Sequence, residues 1–137
     1  MRVRDYMTTD VTTVTPDTAI MRLVSLIVER GIQGAVVTDE DGKLAGIITE
    51  RDCIVVATHA GYFDELGGTV AEYMTADVET VAESDGLMQV AKRMSDSRHR
   101  VFPVVEGGKL VGLLSRRDVL RALAGSSAWF KGKEVRD

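Results

Sequence analysis

Apolar residues follow a helical spacing in two places along the chain, 67 residues apart. In each place they recur at i, i+3, i+4 and i+7, the pattern of a helix with one apolar face. The two sets are Ile20, Leu23, Val24 and Ile27, and Leu87, Val90, Ala91 and Met94. The β-rich run TTVTP ends at Pro16. Asp17 follows it directly and is predicted to cap the first helix.

Short runs rich in Val and Ile flank turn residues after each predicted helix. They are GAVVT-DEDGK-LAGIIT in the first half and VFPVV-EGGK-LVGLLS in the second. Such runs around Asp and Gly predict β-hairpins. Each hairpin is followed by a second helical segment, ERDCIVVATHA or RRDVLRALAG. Each half is therefore predicted to have the order β-α-β-β-α.

The two halves are copies of one another. YMTTDVTTV at 6–14 aligns with YMTADVETV at 73–81, and GKLAGIITERD at 42–52 aligns with GKLVGLLSRRD at 108–118. One copy of about 55 residues would bury too little apolar surface to be stable alone. We therefore expect an α+β fold in which two repeats pack with pseudo-twofold symmetry, their sheets facing across a cleft. The predicted boundaries are repeat 1 at 1–60, a linker at 61–69, repeat 2 at 70–124 and a tail at 125–137.

Composition narrows the function classes. Seventeen basic and 21 acidic residues give a net charge of −4, which argues against general binding to nucleic acid or to an anionic membrane. Cys53 is the only cysteine, so no internal disulfide can form, and with His59 and His99 it offers a poor ligand set for a metal. The N-terminal stretch lacks a signal-peptide pattern, and no run suits a membrane span. These features favour a cytoplasmic protein.

The duplicated phrase GIITERD and GLLSRRD has two explanations. In the structural one, Thr49 with Asp52 and Ser115 with Asp118 form S/T-x-x-D pairs that resemble a capping box at the start of a helix. Gly46 and Gly112 would then allow close packing of a neighbouring helix.

In the functional explanation, the same helix start binds a nucleotide. The free N–H groups of the first turn attract phosphate, and Thr49 or Ser115 can donate one more hydrogen bond. Arg51 and Arg117 add a full positive charge, and a carboxylate suits the adjacent hydroxyls of a ribose. The residues alone leave both explanations open.

The motif G-h-h-[ST]-x-x-D, where h is apolar, occurs once in each repeat. On this evidence the chain resembles a tandem pair of cystathionine β-synthase (CBS) domains, also called a Bateman module. The resemblance covers residues 3–57 and 70–124. The resemblance implies a non-enzymatic regulatory module. Its ligand would be an adenine compound such as AMP, ADP, ATP, S-adenosylmethionine or NAD, bound in clefts between the repeats, with no catalytic cofactor. It also implies a homodimer shaped as a four-repeat disc and an unknown regulated protein. The alternative is a ligand-free scaffold that dimerises or docks to an enzyme or transporter. A nucleotide hydrolase would need a metal cluster or a positioned base, which the sequence does not supply.

The resemblance assigns roles to individual residues. The aspartates would hold ribose, the hydroxyls and nearby cations would contact phosphate, and the first strands with the hairpin main chain would line the adenine slot. The first site comprises Thr13, Gly34, Thr49, Arg51 and Asp52. The second site comprises Thr80, His99, Arg100, Val101, Ser115, Arg117 and Asp118.

The two sites differ in sequence. GIQGAVV in the first repeat lacks the His-Arg pair and the proline of RHRVFPVV in the second. The second site is therefore expected to be the occupied one, because direct charge pairing with a phosphate is the strongest polar interaction available.

Other conspicuous residues have ordinary explanations. Cys53 is predicted to be a small apolar residue on a buried helix face rather than a redox switch beside Asp52, and His59 to be solvated. The tail residues Trp129 and Phe130 would cover this chain's own helix or a dimer seam, or else bind a partner. The methionines at repeated apolar positions are predicted to belong to the core; they are Met7, Met21, Met74, Met88 and Met94.

Overall fold

The computed structural model describes residues 1–63 and 67–125, and the side chains of 1–59 and 67–125. The predicted tail beyond Gly125, with Trp129 and Phe130, lies outside the described residues. The elements are, in chain order, α1 (Val3–Tyr6), β1 (Thr13–Val14), α2 (Ile20–Arg30), β2 (Gly34–Thr38), β3 (Leu44–Thr49), α3 (Glu50–Phe63), α4 (Val70–Tyr73), α5 (Leu87–Asp96), β4 (Val101–Glu106), β5 (Lys109–Ser115) and α6 (Arg116–Ala124). The predicted α+β class, both amphipathic helices, both hairpins and both closing helices are confirmed.

The contacts divide the chain into two compact units, and neither unit is one repeat alone. The first-repeat unit contains, of the described residues, 10–63, 67–78 and Gly107–Leu110. The second-repeat unit contains Met1–Thr9, Glu79–Glu106 and, of the described residues, 111–125. The leading segment of each repeat, with its short helix α1 or α4, thus belongs to the unit built by the other repeat.

The first-repeat unit is built on a three-stranded sheet in the order β1-β2-β3. β1 is parallel to β2, and β2 is antiparallel to β3. The segment around α4 is tied in by main-chain bonds, because the Val70 amide donates to Thr18 O at 2.9 Å and Thr75 exchanges two bonds with Ile47 at 2.9 and 2.8 Å. Its buried core comprises Val14, Ile20, Leu23, Ala35, Val37, Ile48, Val56 and Val70.

The second-repeat unit repeats this arrangement around the β4–β5 hairpin, whose strands are joined at Gly107 and Gly108. The leading segment is held as in the other unit, with the Val3 amide donating to Asp85 O at 3.0 Å and Thr8 exchanging two 2.8 Å bonds with Leu113. Its buried core comprises Val3, Val81, Leu87, Val90, Met94, Phe102, Val104, Leu114, Val119 and Ala122.

A proline explains why the second repeat has no strand equivalent to β1. In the first repeat the Val36 amide donates to Thr12 O at 3.1 Å. Pro103 occupies the equivalent position in the second repeat and has no N–H to donate. There the parallel pairing is reduced to a single bridge between Val81 and Val104.

Side chains hold the segment beside Pro103. Arg93 donates to Thr80 O at 3.3 Å and pairs with Glu79 at 3.5 Å. Ser97 donates to the other oxygen of Glu79 at 3.0 Å. Residues 79 and 80 are therefore held by charged and polar side chains, whereas Val81 keeps two main-chain bonds of 3.0 Å, from its amide to Pro103 O and from the Val105 amide to its carbonyl.

Gly46 and Gly112 do allow close packing, but their neighbour is extended main chain and not the helix that we predicted. A Cβ at Gly46 would lie 2.6 Å from Thr75 O, and one at Gly112 would lie 2.9 Å from Met7 Sδ and 3.0 Å from Thr8 O. In both units the last strand pairs with the residues that follow the short helix, at Ile47–Thr75 and Thr8–Leu113, which brings the two backbones together.

We expect Gly46→Ala to destabilise the protein by about 1–3 kcal/mol, because the added methyl meets a hydrogen-bonded main-chain carbonyl that cannot move without breaking the pairing. Gly112→Ala is the matched control. Its nearest obstacle is the flexible end of Met7, so it should cost less. Urea unfolding of both variants checks this order, and an equal or reversed order would contradict it.

Two local predictions are wrong. The residue that precedes α2 is Ala19, and Asp17 does not cap the helix. Instead the Thr15 amide donates to Thr18 Oγ1 at 3.0 Å, so a hydroxyl closes the turn before the helix. Met88 is not in the core, since it is 48% exposed, whereas Met94 is buried and Met7, Met21 and Met74 pack against the cores.

The leading helices α1 and α4 are not part of the predicted β-α-β-β-α order. α4 carries a sequence signal that could have revealed it, since Thr69 and Glu72 are spaced as T-x-x-E. The Glu72 side chain accepts a hydrogen bond from the Thr69 amide at 2.8 Å.

Candidate functional site

The predicted residues of the first site meet at one edge of the three-stranded sheet. Gly34 begins β2 and pairs with Thr49, the last residue of β3. Thr13 begins the parallel strand β1 and lies opposite Val36. Helix α3 starts at the same edge, where the Glu50 amide donates to Gln33 O at 2.9 Å. The sheet register therefore gathers Thr13, Gly34 and the start of α3.

A Cβ at position 34 would meet the backbone of β3. It would lie 2.5 Å from Ile48 O and 3.0 Å from Thr49 Cα. A glycine is needed here for β2 to approach β3 so closely.

Thr49 and Asp52 form the reciprocal cap that the sequence suggested. Asp52 Oδ2 accepts from the Thr49 amide at 2.9 Å and from the Thr49 hydroxyl at 3.2 Å. The Asp52 amide points back at Thr49 Oγ1, 3.4 Å away. The cap occupies Oδ2 only, and in the part of the chain that the structure describes Oδ1 has neither a hydrogen-bond nor an ion-pair partner.

Ser115 and Asp118 form the same cap at the start of α6, but the second oxygen of this aspartate is paired. Asp118 Oδ2 accepts from the Ser115 amide at 2.8 Å, and the Asp118 amide donates to Ser115 Oγ at 3.3 Å. Oδ1 accepts from Arg121 at 2.6 Å and from the Thr8 hydroxyl at 3.4 Å. Asp118 is 4% exposed.

The cap and the ligand explanation thus do not exclude each other. Each carboxylate has two oxygens, and the cap uses Oδ2 in both repeats. Oδ1 is the atom that could accept hydrogen bonds from a pair of ribose hydroxyls. The two repeats differ in whether that atom has a protein partner.

The cationic residues lie close to these helix starts along the chain. Arg51 and Arg117 are in the first turns of α3 and α6 and are exposed. Arg100 is exposed as well, and its carbonyl accepts from the Arg116 amide at 3.2 Å. This hydrogen bond joins the main chain of the predicted His-Arg pair to Arg116, the first residue of α6.

The remaining residues of the second site have structural partners of their own. The half-buried His99 has its amide bonded to Ser97 Oγ at 3.0 Å. Thr80 is half-buried and its carbonyl is held by Arg93. Val101 is the first residue of β4, as Gly34 is of β2.

Sequence reasoning missed two residues that contact Asp118. Arg121 lies three positions after it on the same helix, a spacing at which opposite charges meet. The pattern could therefore have revealed Arg121. Thr8 could not be found this way, because 110 residues separate it from Asp118.

Cys53 has the environment of an unreactive thiol. It is half-buried, and burial raises its pKa, with a further increase from the carboxylates of Asp52 and Glu50. The thiol is therefore protonated at neutral pH, and a protonated thiol is a weak nucleophile. His59 is exposed, with its ring beside Tyr73 and Nδ1 3.4 Å from the tyrosine hydroxyl.

Each unit has a shallow apolar groove along its pair of long helices. The groove of the first-repeat unit measures about 290 Å³ and is lined by Val24, Ile27, Val28, Glu50, Cys53, Ile54 and Ala57. The groove of the second-repeat unit measures about 400 Å³ and is lined by Ala91, Met94, Ser95, Arg116, Val119 and Leu120. Ile54 and Leu120, at equivalent positions of the two repeats, are 66% and 62% exposed.

In residues 1–63 and 67–125, no group of three or more His, Cys, Asp or Glu side chains could hold a metal ion. Within the same ranges, every helix is too short or too polar to span a bilayer.

Two stretches of the chain, residues 3–58 and 70–125, match the CBS domain family. An uncharacterised 17.7 kDa protein of Acidianus ambivalens is 32% identical over 89% of this chain and 73% of its own length. The chain spans only 32% of two longer relatives.

Solved structures show the same fold. CBSX2 from Arabidopsis thaliana, crystallised in complex with AMP, has a TM-score of 0.79 and 28% identity over 90% of this chain and 96% of that one. The CBS domain pair of protein MJ0100, in complex with 5′-methylthioadenosine and S-adenosyl-L-methionine, has a TM-score of 0.75 and 28% identity over 91% and 97%.

Proposed function

We propose that this chain, which belongs to the CBS-domain family, is a regulatory module that senses an adenosine-containing ligand and has no enzymatic activity of its own. Two similar proteins support the choice of ligand. CBSX2 was solved with AMP, and the pair of protein MJ0100 was solved with two adenosyl compounds. The chemical group common to these ligands is adenosine.

The observation that carries this proposal is Asp52 Oδ1, which has no partner among the residues that the structure describes. It belongs to a half-buried carboxylate whose other oxygen is already fixed by the Thr49 amide and hydroxyl. A carboxylate held in this way is preorganised to accept both hydroxyls of a ribose, because its rotamer is already set. Thr49, which supplies the cap, thereby positions Asp52.

The other first-site residues have complementary roles. Gly34 presents main-chain groups at the sheet edge where Thr13 begins β1, and together they would line the adenine. Arg51 would bind phosphate at the start of α3, where the helix dipole favours an anion. AMP, ADP, ATP and NAD all offer this combination of adenine, ribose and phosphate, whereas S-adenosylmethionine offers the first two.

In the second site, the phosphate would be contacted by Ser115, Arg117, His99 and Arg100. Val101 and Thr80 would lie beside the adenine. A bound ligand can change the conformation only by binding one state more tightly than another. The regulated protein would respond to that change.

Isothermal titration calorimetry with AMP, ADP, ATP, S-adenosylmethionine and NAD tests the proposal, with GMP as the control for adenine. We expect binding of at least one adenosine compound and weaker binding of GMP. Absence of heat with the whole panel, at two temperatures to allow for zero enthalpy, would contradict the proposal.

Overnight incubation with ATP should leave the nucleotide intact, and ADP release would contradict the non-enzymatic assignment.

The apolar grooves favour a second role, association with another copy of this chain. Each repeat exposes one large apolar side chain at the same place, Ile54 or Leu120. Duplicated apolar faces suit a symmetric interface, in which the same surface is used by both partners. We propose a homodimer that covers these grooves as the four-repeat disc, which would also provide the dimerisation required of a docking scaffold.

Ile54→Glu is expected to shift the dimer towards monomer by at least about tenfold in dissociation constant, because burying an unpaired charge in an apolar groove is unfavourable. Val55→Glu is the matched control. Like Ile54, Val55 is an exposed β-branched residue on α3, but it does not line the groove. Sedimentation velocity measures both. Equal effects of the two substitutions, or a monomeric wild type, would contradict this interface.

A further inference from the structure

We propose that Arg121 decides which of the two sites accepts a ribose, by occupying the ribose-binding oxygen of Asp118 in the second site and leaving the first site open. The inference rests on the proposed function and deepens it. The starts of α3 and α6 carry the same cap but differ in one hydrogen bond.

The asymmetry lies in the second oxygen of each carboxylate. Both aspartates use Oδ2 for the cap. Asp118 Oδ1 accepts a 2.6 Å charge-assisted bond from Arg121, whereas Asp52 Oδ1 has no partner among the described residues. An acceptor already bonded to a guanidinium must lose that bond before it can accept from ribose hydroxyls.

Arg121 is fixed at a second point. The same Nη2 atom donates to the carbonyl of Tyr6, the last residue of α1, at 3.1 Å. Its side chain is 59% exposed, so it covers the buried Asp118 from the solvent side. The Thr8 hydroxyl, 3.4 Å from the same oxygen, adds a weaker bond from the leading segment.

The first repeat has the receiving groups but not the arginine. The residue equivalent to Arg121 is Val55, which carries no donor. The equivalents of Tyr6 and Thr8 are Tyr73 and Thr75, so the main-chain setting is shared. A single side chain at one helical position therefore separates an open carboxylate from a closed one.

The cationic residues alone predict that the second site binds the ligand more tightly. The ion pair between Arg121 and Asp118 has the opposite effect, because it weakens ribose binding at that site. His99 and Arg100 favour the second site for phosphate, and that advantage does not depend on Asp118. The second site would therefore respond to phosphate groups, while recognition of the nucleoside falls to the first. Adenosine, which lacks phosphate, is the probe that separates these contributions.

Calorimetric titration with adenosine and with AMP tests the inference. We expect wild type to bind one adenosine per chain, and Arg121→Val, which installs the first-repeat residue, to bind two, with second-site affinity raised about tenfold or more. Arg121→Lys should still bind one, because it retains a cationic donor. The reciprocal change Val55→Arg should weaken adenosine binding at the first site about tenfold.

The outcomes separate this inference from the proposed function. Two equivalent adenosine sites in wild type, or one site in both wild type and Arg121→Val, would overturn the role of Arg121 and leave the sensing module intact. A wild-type site that Asp118→Asn removes and Asp52→Asn spares would do the same. No binding of either probe to any variant would overturn both proposals. Thermal unfolding of each variant verifies that it is folded at the titration temperature.

Discussion

Asp52→Asn is expected to weaken AMP binding at the first site by about 100-fold while leaving the fold almost unchanged. The asparagine oxygen can still accept the hydrogen bond from the Thr49 amide that caps α3. The other terminal atom becomes an NH2 group, which donates and cannot accept from ribose hydroxyls. Losing two hydrogen bonds to a charged acceptor costs about 3 kcal/mol, which corresponds to that factor.

Asp52→Ala is the partner variant that separates binding from capping. It removes both oxygens, so it should lose AMP affinity and also destabilise the helix start by about 1 kcal/mol. Calorimetry gives the affinities and urea unfolding gives the stabilities. A first-site affinity of Asp52→Asn for AMP within about threefold of wild type would exclude a charged ribose acceptor at this position.

Phe102→Ala is expected to produce the largest loss of stability, about 3–5 kcal/mol. The Phe102 side chain is fully buried in the core of the second-repeat unit, and the guanidinium carbon of Arg93 lies 5.6 Å from its ring centre. Removing the ring leaves a cavity and takes away the surface on which Arg93 rests. Because Arg93 donates to Thr80 O, the loss would extend to the segment that leads to Val81.

Ala35 makes this prediction specific, because it occupies the equivalent buried position in the first repeat. If the two cores were interchangeable, an alanine at 102 would be tolerated. Phe102→Leu is the graded control and should cost less than half as much, since it retains most of the volume. Circular dichroism during urea unfolding compares the variants, and a cost below about 1 kcal/mol for Phe102→Ala would show that the core closes around the missing ring.

Regular patterns were sufficient to predict the main elements. The i, i+3, i+4, i+7 spacing located α2 and α5, and Val-rich runs around turn residues located the hairpins. These signals succeed because one face of each element must be buried whatever it packs against. Asp17 failed for the opposite reason, since several polar residues near a helix start compete for the same turn and the sequence does not rank them.

The candidate site could be predicted in part. The S/T-x-x-D spacing located both caps, because the groups that form them are three residues apart. The nature of the neighbour of Gly46 could not be predicted in this way. A strand glycine indicates that something lies close, and only the fold identifies it as the main chain of Thr75.

The sequence by itself determined the duplication, which an alignment of its two halves reveals. It also determined the order of the principal elements and the capped starts of α3 and α6, since these depend on residues within one or two turns of each other. Only the tertiary structure decided that the leading segment of each repeat packs into the unit of the other. The tertiary structure also decided the environment of each carboxylate's second oxygen, where Thr8 reaches Asp118 from 110 residues away. Contacts of that separation depend on how whole elements pack, and a local pattern of residue types carries no information about them.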